Sequence, residues 1–267
     1  MPNGKTAWYL ILYSTRKKTY FPAADFYEIT RSPNAPEHIG TSGMTQPPVH
    51  ALSCYYIHQN SEHKLETTTF LKNILPKLMN FHRYLLTDRD PEESGLVTIL
   101  HPWESGEDDS PIWDQTLSRI SFTKSDLPDF KRLDIIAVEG ASETIPSDGE
   151  YNKFIYMIEI MKKCNYDEKI THEKMPFKIK DLLFSSILYM ANKYLLKIIG
   201  ILEEAERNFY RYFLPPYYSK VGKSDLSLFL DYDLIAKDWI KTKTVSQSFH
   251  YQLVYYYRKR PKRWSSF

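Results

Sequence analysis

Ile179-Lys180-Asp181-Leu182-Leu183-Phe184-Ser185-Ser186-Ile187-Leu188-Tyr189-Met190-Ala191-Asn192-Lys193-Tyr194-Leu195-Leu196-Lys197-Ile198-Ile199-Gly200-Ile201-Leu202, continuing to Arg207, is the stretch on which the fold class turns. Ile179, Leu183, Ile187, Met190, Tyr194 and Ile198 form one helical stripe. Leu182, Leu188, Leu195 and Leu202 fill adjacent positions, so the helix is apolar over much of its girth. Such a helix needs cover on more than one side and belongs inside a helical frame. Pro215-Pro216 stops it.

The flanking sequence supplies that cover. Pro47-Pro48 starts a helix with Val49, Leu52, Tyr56 and Ile57 as its apolar stripe. Lys64–Asp88 is a second helical region, with Phe70, Leu71, Ile74, Leu75, Leu78, Phe81 and Leu85 on its buried face. Pro76 is expected to kink that helix or divide it in two, and Asp90-Pro91 to end it. Helix is expected again over Tyr151–Lys163, and Ser110-Pro111 reads as N-cap and N1 of a shorter one. Residues 1–45 are irregular, with one strand at Trp8–Tyr13, and 121–150 is loop-rich with acids at Glu139, Glu143, Asp148 and Glu150. The class is all-α, built from helical hairpins.

Bulk properties narrow the partners. The net charge of +2 hides a basic tail: without Arg258, Lys259, Arg260, Lys262 and Arg263 the body is near −3. A polyanion partner for the body is not indicated, and nucleic acid is not the expected ligand. Cys54 and Cys164 sit in apolar, helix-like contexts and read as buried free thiols. The apolar run Ala7–Tyr13 is too short to span a bilayer, and no cleavage pattern follows it. A reducing, cytoplasmic setting without membrane contact is expected. No His/Cys cluster or calcium-loop spacing is visible, so neither metal nor cofactor is expected.

Chemistry concentrates in one loop, His101-Pro102-Trp103-Glu104-Ser105-Gly106-Glu107-Asp108-Asp109-Ser110-Pro111-Ile112-Trp113-Asp114. It follows the apolar run 96–100 and carries five carboxylates and two indoles in fourteen residues. Flat aromatics stack on sugar rings, carboxylates bind hydroxyls, and one acid can protonate a glycosidic oxygen. Crowded like charges raise the pKa of one of their number, which makes Asp108 a plausible proton donor; a solvated acidic turn has the same composition. Trp103 and Asp109 are candidate sugar contacts, and Trp113 fits a core indole. Glu104 either binds a hydroxyl or orients its neighbours. Gly106 permits a turn that a Cβ would block. Gln46 is either a hydroxyl ligand or a capping amide. His50 and His101 read as packed or backbone-bonded histidines.

The loop resembles the signature of the mannosylglycerate and glucosylglycerate hydrolases, within the processing-glucosidase family of glycoside hydrolases. Its core Glu104-Ser105-Gly106-x-Asp108-x-Ser110 also resembles the trehalase signature, although Ile112 stands where trehalases place Arg. Thr41-Ser42-Gly43-Met44-Thr45-Gln46-Pro47-Pro48-Val49-His50-Ala51, Leu182–Leu188 and Leu230-Asp231-Tyr232-Asp233 agree in order. The resemblance implies an (α/α)6 toroid and inverting hydrolysis of an α-glycosidic bond, with Asp108 as general acid. The candidate substrate contacts, read from the residues themselves, are Gln46, Trp103, Glu104, Gly106 and Asp109. The family's general base is a Glu after a Trp-rich stretch; no counterpart is found here, nor for the family's early Trp-Asp-His segment. Residues 2–245 are therefore expected to be a partial, incomplete toroid, and 246–267 an atypical basic tail. The expected partner is a small α-glycoside or oligosaccharide, with self-association through uncovered helical faces. Two other readings stand beside it: an inactive carbohydrate-binding remnant, and a helical interaction module with a basic tail.

Overall fold

The computed structural model describes residues 21–38, 40–132, 146–202, 232–233, 235 and 238–239. The expected strand at Trp8–Tyr13, Glu139 and Glu143, the end of the long helix at Arg207, the Pro215-Pro216 stop, and the basic tail lie outside them. So does Leu230-Asp231. The described chain is mostly helical, in two compact units. Of the described residues, one unit comprises those within 47–98 and 180–232; the other comprises those within 21–46, 99–179 and 233–239.

Among the described residues of the first unit, three helices pack on one another. Helix α1 spans His50–Asn60 and α2 spans Lys64–Thr87. The long apolar helix, which we number α6, spans Leu182–Ile201. Ala51, Cys54, Leu71, Leu75, Leu78, Met79, Ala191, Tyr194, Leu195, Ile198, Ile199 and Leu202 make their shared core. The α6 helix is long and apolar enough to cross a membrane, but most of its surface is buried inside the protein. It begins three residues later than expected, because Asp181 accepts the Phe184 backbone N–H and so caps it. Ile179 falls instead in a short strand.

The expectations for α1 and α2 change here. The inward face of α1 is Ala51, Cys54 and His58, whereas Val49 is 48% and Ile57 53% exposed. Small side chains at Ala51 and Ala191 sit in the shared core, while Leu52 and Tyr56 of the expected stripe pack partly buried against it and Val49 and Ile57 face solvent. Phe70 is likewise on the exposed side of α2. Pro76 does not divide α2. It lies on the exposed side together with Lys72, one turn earlier, where solvent tolerates an interrupted amide ladder.

The second unit contains α3 (Asp114–Ser118), α4 (Asp148–Lys163) and α5 (Glu168–Lys174). Ser147 and Glu150 form a capping box that starts α4. Tyr151, Phe154, Ile155, Ile158 and Met161 form its buried face. The buried Lys162 ammonium lies 3.7 Å above the Phe26 ring and bonds Glu159 at 2.6 Å, fixing the 21–31 segment.

Four two-residue strands were not legible in the sequence: β1 (Thr98–Ile99), β2 (Ile179–Lys180), β3 (Tyr232–Asp233) and β4 (Asp238–Trp239). They are hydrogen-bonded in the order β1-β2-β3-β4. Lys180, only 3% exposed, pairs with Asp90 at 2.6 Å and Glu92 at 2.8 Å and donates to the Leu96 carbonyl at 3.0 Å. Asp90 also accepts from the Ser94 and Gly95 amides. Removing one partner of such a buried pair strands the other, so Lys180→Met should cost about 3–5 kcal/mol. The check is the shift in denaturant midpoint, and Lys180→Met combined with Asp90→Asn should recover part of the loss.

Candidate active site

The acidic loop is shaped by its own short turns. A 3-10 turn spans Pro102–Glu104, and a second spans Pro111–Trp113 before α3. Between them Gly106 has φ 81°, a left-handed conformation costly for any side chain with a Cβ. The Ser105 hydroxyl donates to the Pro102 carbonyl at 2.7 Å and accepts from the Glu107 amide at 2.8 Å. Trp113 is fully buried, and its indole N–H donates to the Glu107 carbonyl at 2.9 Å. The core indole expected there thus also ties down the loop's midpoint.

His101 is fully buried and bonds in two directions. Its Nε2 lies 3.2 Å from the Phe154 carbonyl, and its Nδ1 accepts the Trp103 amide at 3.1 Å. A carbonyl needs a donor, so Nε2 carries the hydrogen and Nδ1 is bare. Burial pushes its pKa down to about 4, which keeps that neutral tautomer at ordinary pH. The ring is thus backbone-bonded and not a proton carrier. Trp103 is half-buried, with its ring 6.0 Å from Tyr151 and 5.6 Å from Phe154, edge-on to both.

Glu104 is fully buried. Its Oε1 accepts the Thr45 amide at 3.2 Å and its Oε2 accepts the Leu100 amide at 2.7 Å. The Gln46 side-chain amide donates to the Trp103 carbonyl at 2.6 Å. Two segments almost sixty residues apart are therefore joined twice, and Gln46 and Trp103 are brought side by side. Of the two possibilities for Glu104, orientation of neighbours is the one visible in its bonds.

Asp108 and Asp109 stand at the loop's surface, with Glu107 half-buried before them. Partial burial of the Asp108 carboxyl, then the adjacent Asp109 charge, raises its pKa to about 6. The residue is exposed as a whole, yet the protein around its carboxyl removes enough water to raise the pKa above the ordinary aspartate value. Burial also raises Glu107. Asp109 is raised by burial and by the Glu150 and Asp114 charges, with Arg132 acting in the opposite sense. Arg132 was not singled out in the sequence. It packs 4.2 Å above the Tyr151 ring and pairs with Asp148 at 3.0 Å. Nothing in its local sequence marks it, because its partners lie some fifteen or more residues away.

The family model for the mannosylglycerate hydrolase MGH1-like glycoside hydrolase domain matches residues 6–251. The chain belongs to this MGH1-like glycoside hydrolase family. A mannosylglycerate hydrolase of Rubrobacter radiotolerans is 35% identical over 234 residues, covering 86% of this chain and 52% of that protein. A glucosylglycerate hydrolase of Mycolicibacterium hassiacum is 32% identical over 248 residues, covering 89% and 55%. The crystal structure of the GH63 mannosylglycerate hydrolase from Thermus thermophilus in complex with Tris matches with a TM-score of 0.78 at 28% identity, covering 97% of this chain and 62% of that one. Further crystal structures of that hydrolase contain Tris with D-glycerate, and glucose. The chain spans about half the length of the curated relatives it matches. The MGH1-like family resemblance read from the loop is thereby established.

The raised Asp108 pKa has a consequence for stability. A carboxyl whose folded pKa lies above its unfolded value favours the fold below about pH 4, and that contribution is lost as pH rises through about 6. Asp108→Asn should therefore melt higher than wild type above pH 6, with the gap closing below pH 4. Thermal melts across that range check the sign.

Proposed function

We propose that this chain carries the general-acid half of an inverting α-glycoside hydrolase, in the helical frame of an (α/α)6 toroid. Asp108 is the acid. The observation that carries this reading is a partly desolvated carboxyl with a pKa near 6, presented by a loop that is bonded at each turn. The names of the relatives and the D-glycerate and glucose in the neighbouring crystals support glucosylglycerate, mannosylglycerate or a similar small α-glycoside as substrate.

In this mechanism the Asp108 proton moves to the glycosidic oxygen as the bond to the anomeric carbon breaks. A second, ionised carboxylate takes a proton from water, whose oxygen attacks that carbon from the opposite face. The configuration inverts, and the two carboxyls stand about 6.5–9.5 Å apart. In the family a downstream Glu fills the second role, and no counterpart of it is found in this sequence. Trp103 offers an aromatic wall, with Tyr151 and Phe154 behind it, and Gln46 and Asp109 offer hydroxyl contacts. The Gly106 turn brings the backbone close to the sugar. Glu104 serves the frame. The two buried free thiols fit a reducing, cytoplasmic setting.

The assay is hydrolysis of glucosylglycerate and mannosylglycerate by a protein that carries this 267-residue chain together with the family's downstream Glu segment, with product anomers followed by NMR. Asp108→Asn should lower the rate by about 10²–10⁴-fold. The wild-type kcat/KM should fall as pH rises past about 6, as the acid loses its proton. Sugar binding with no turnover at any pH would instead favour a non-hydrolytic carbohydrate-binding protein.

A further inference from the structure

Two carboxylates four residues apart in this loop occupy opposite environments. Asp108 stands at the loop's surface beside a like charge, Asp109. Glu104 is sealed from water, with a backbone N–H on each oxygen. The second arrangement has a chemical requirement that sequence composition does not reveal. A carboxylate presents acceptors on both oxygens, whereas the isosteric amide presents one acceptor and one donor group. Only the carboxylate can receive both the Thr45 and the Leu100 N–H.

The geometry also says what would move. The Leu100 bond, at 2.7 Å, is the shorter, and Leu100 precedes the loop directly. The Thr45 bond, at 3.2 Å, reaches across to the other segment. Gln46, the next residue, is attached to that same loop through Trp103. The two cross-links act on adjacent residues, so release of Thr45 loosens the backbone from which the Gln46 side chain reaches Trp103. The Gln46 amide spends an N–H on the Trp103 carbonyl, which orients its own carbonyl oxygen as an acceptor for a donor such as a sugar hydroxyl.

We propose that Glu104 is a positioning residue for substrate binding: by accepting the Thr45 and Leu100 amides, its buried carboxylate fixes the Gln46 side chain beside Trp103 at the sugar. The proposal rests on the hydrolase reading above for the place of the sugar. It differs from a merely structural role in a specific way. Glu104 acts on binding through Gln46, so its loss has nothing further to remove once Gln46 is gone.

The experiment is a double-mutant cycle in the full 267-residue chain, made in an Asp108→Asn background so that ligand is not consumed. Dissociation constants for glucosylglycerate and mannosylglycerate are read from tryptophan fluorescence for the parent, Glu104→Gln, Gln46→Ala and the pair. Amide hydrogen exchange is followed by NMR in the same proteins. Glu104→Gln and Gln46→Ala should each weaken binding by about 10- to 100-fold, and the pair should be no weaker than the worse single variant. In Glu104→Gln the Thr45 amide should exchange faster and the Gln46 side-chain resonances shift, while α6 amides keep their protection. Losses that multiply in the double variant, or an unchanged Thr45 amide, would overturn the proposal. A parent that binds neither glycoside counts against the hydrolase reading. In that case the exchange arm still decides the clamp: a released Thr45 with shifted Gln46 resonances upholds it, and unchanged signals overturn it.

Discussion

The organisation of the candidate site depends on a buried carboxylate, Glu104, meeting two backbone amides. Neither the charge nor the amides would be tolerable alone. An unmatched buried N–H costs about 1–3 kcal/mol, and an unpaired buried carboxylate costs more. Together they satisfy each other, and in doing so they join Thr45 to Leu100. The remaining loop bonds follow from that fixed point: the His101 ring on the Trp103 amide, the Ser105 hydroxyl across the turn, and the Trp113 indole on Glu107. Each uses a group that cannot change its protonation state near neutral pH, so the frame holds while Asp108 titrates.

That contrast is the chemical core of the site. Burial favours the neutral form of a carboxyl, and an adjacent like charge adds to that effect. Glu104 has donors on both oxygens. Asp108 has partial burial and an adjacent Asp109 charge, and its pKa rises to about 6. A loop with two such environments can hold one acid as a fixed acceptor and keep another ready to donate. Composition describes both residues identically; only their surroundings separate them.

The sequence shows the helical class because long apolar periods at 64–88 and 179–207 have no strand interpretation. In α1 it is half right: Leu52 and Tyr56 pack against the core as the periodicity suggests, but Val49 and Ile57 are exposed and Ala51 and Cys54 are the buried residues. Close helix approach selects small side chains, and a hydrophobicity pattern undervalues them. The two-residue strands are invisible because their pairing partners are remote and two residues hold no period. At the site, the acids and indoles of 101–114 mark the place and Gly106 marks the turn. The cross-link to Thr45 and the Arg132–Tyr151 stack depend on contacts that no local pattern encodes.

The central claim is that this loop holds Asp108 as an acid that is still protonated well above the ordinary aspartate range. Carbon-13 NMR titration of the Asp108 side-chain carboxyl, assigned by comparison with Asp108→Asn, measures it directly. The expected midpoint is near pH 6. A midpoint near 4, the value of an unperturbed aspartate, would contradict it.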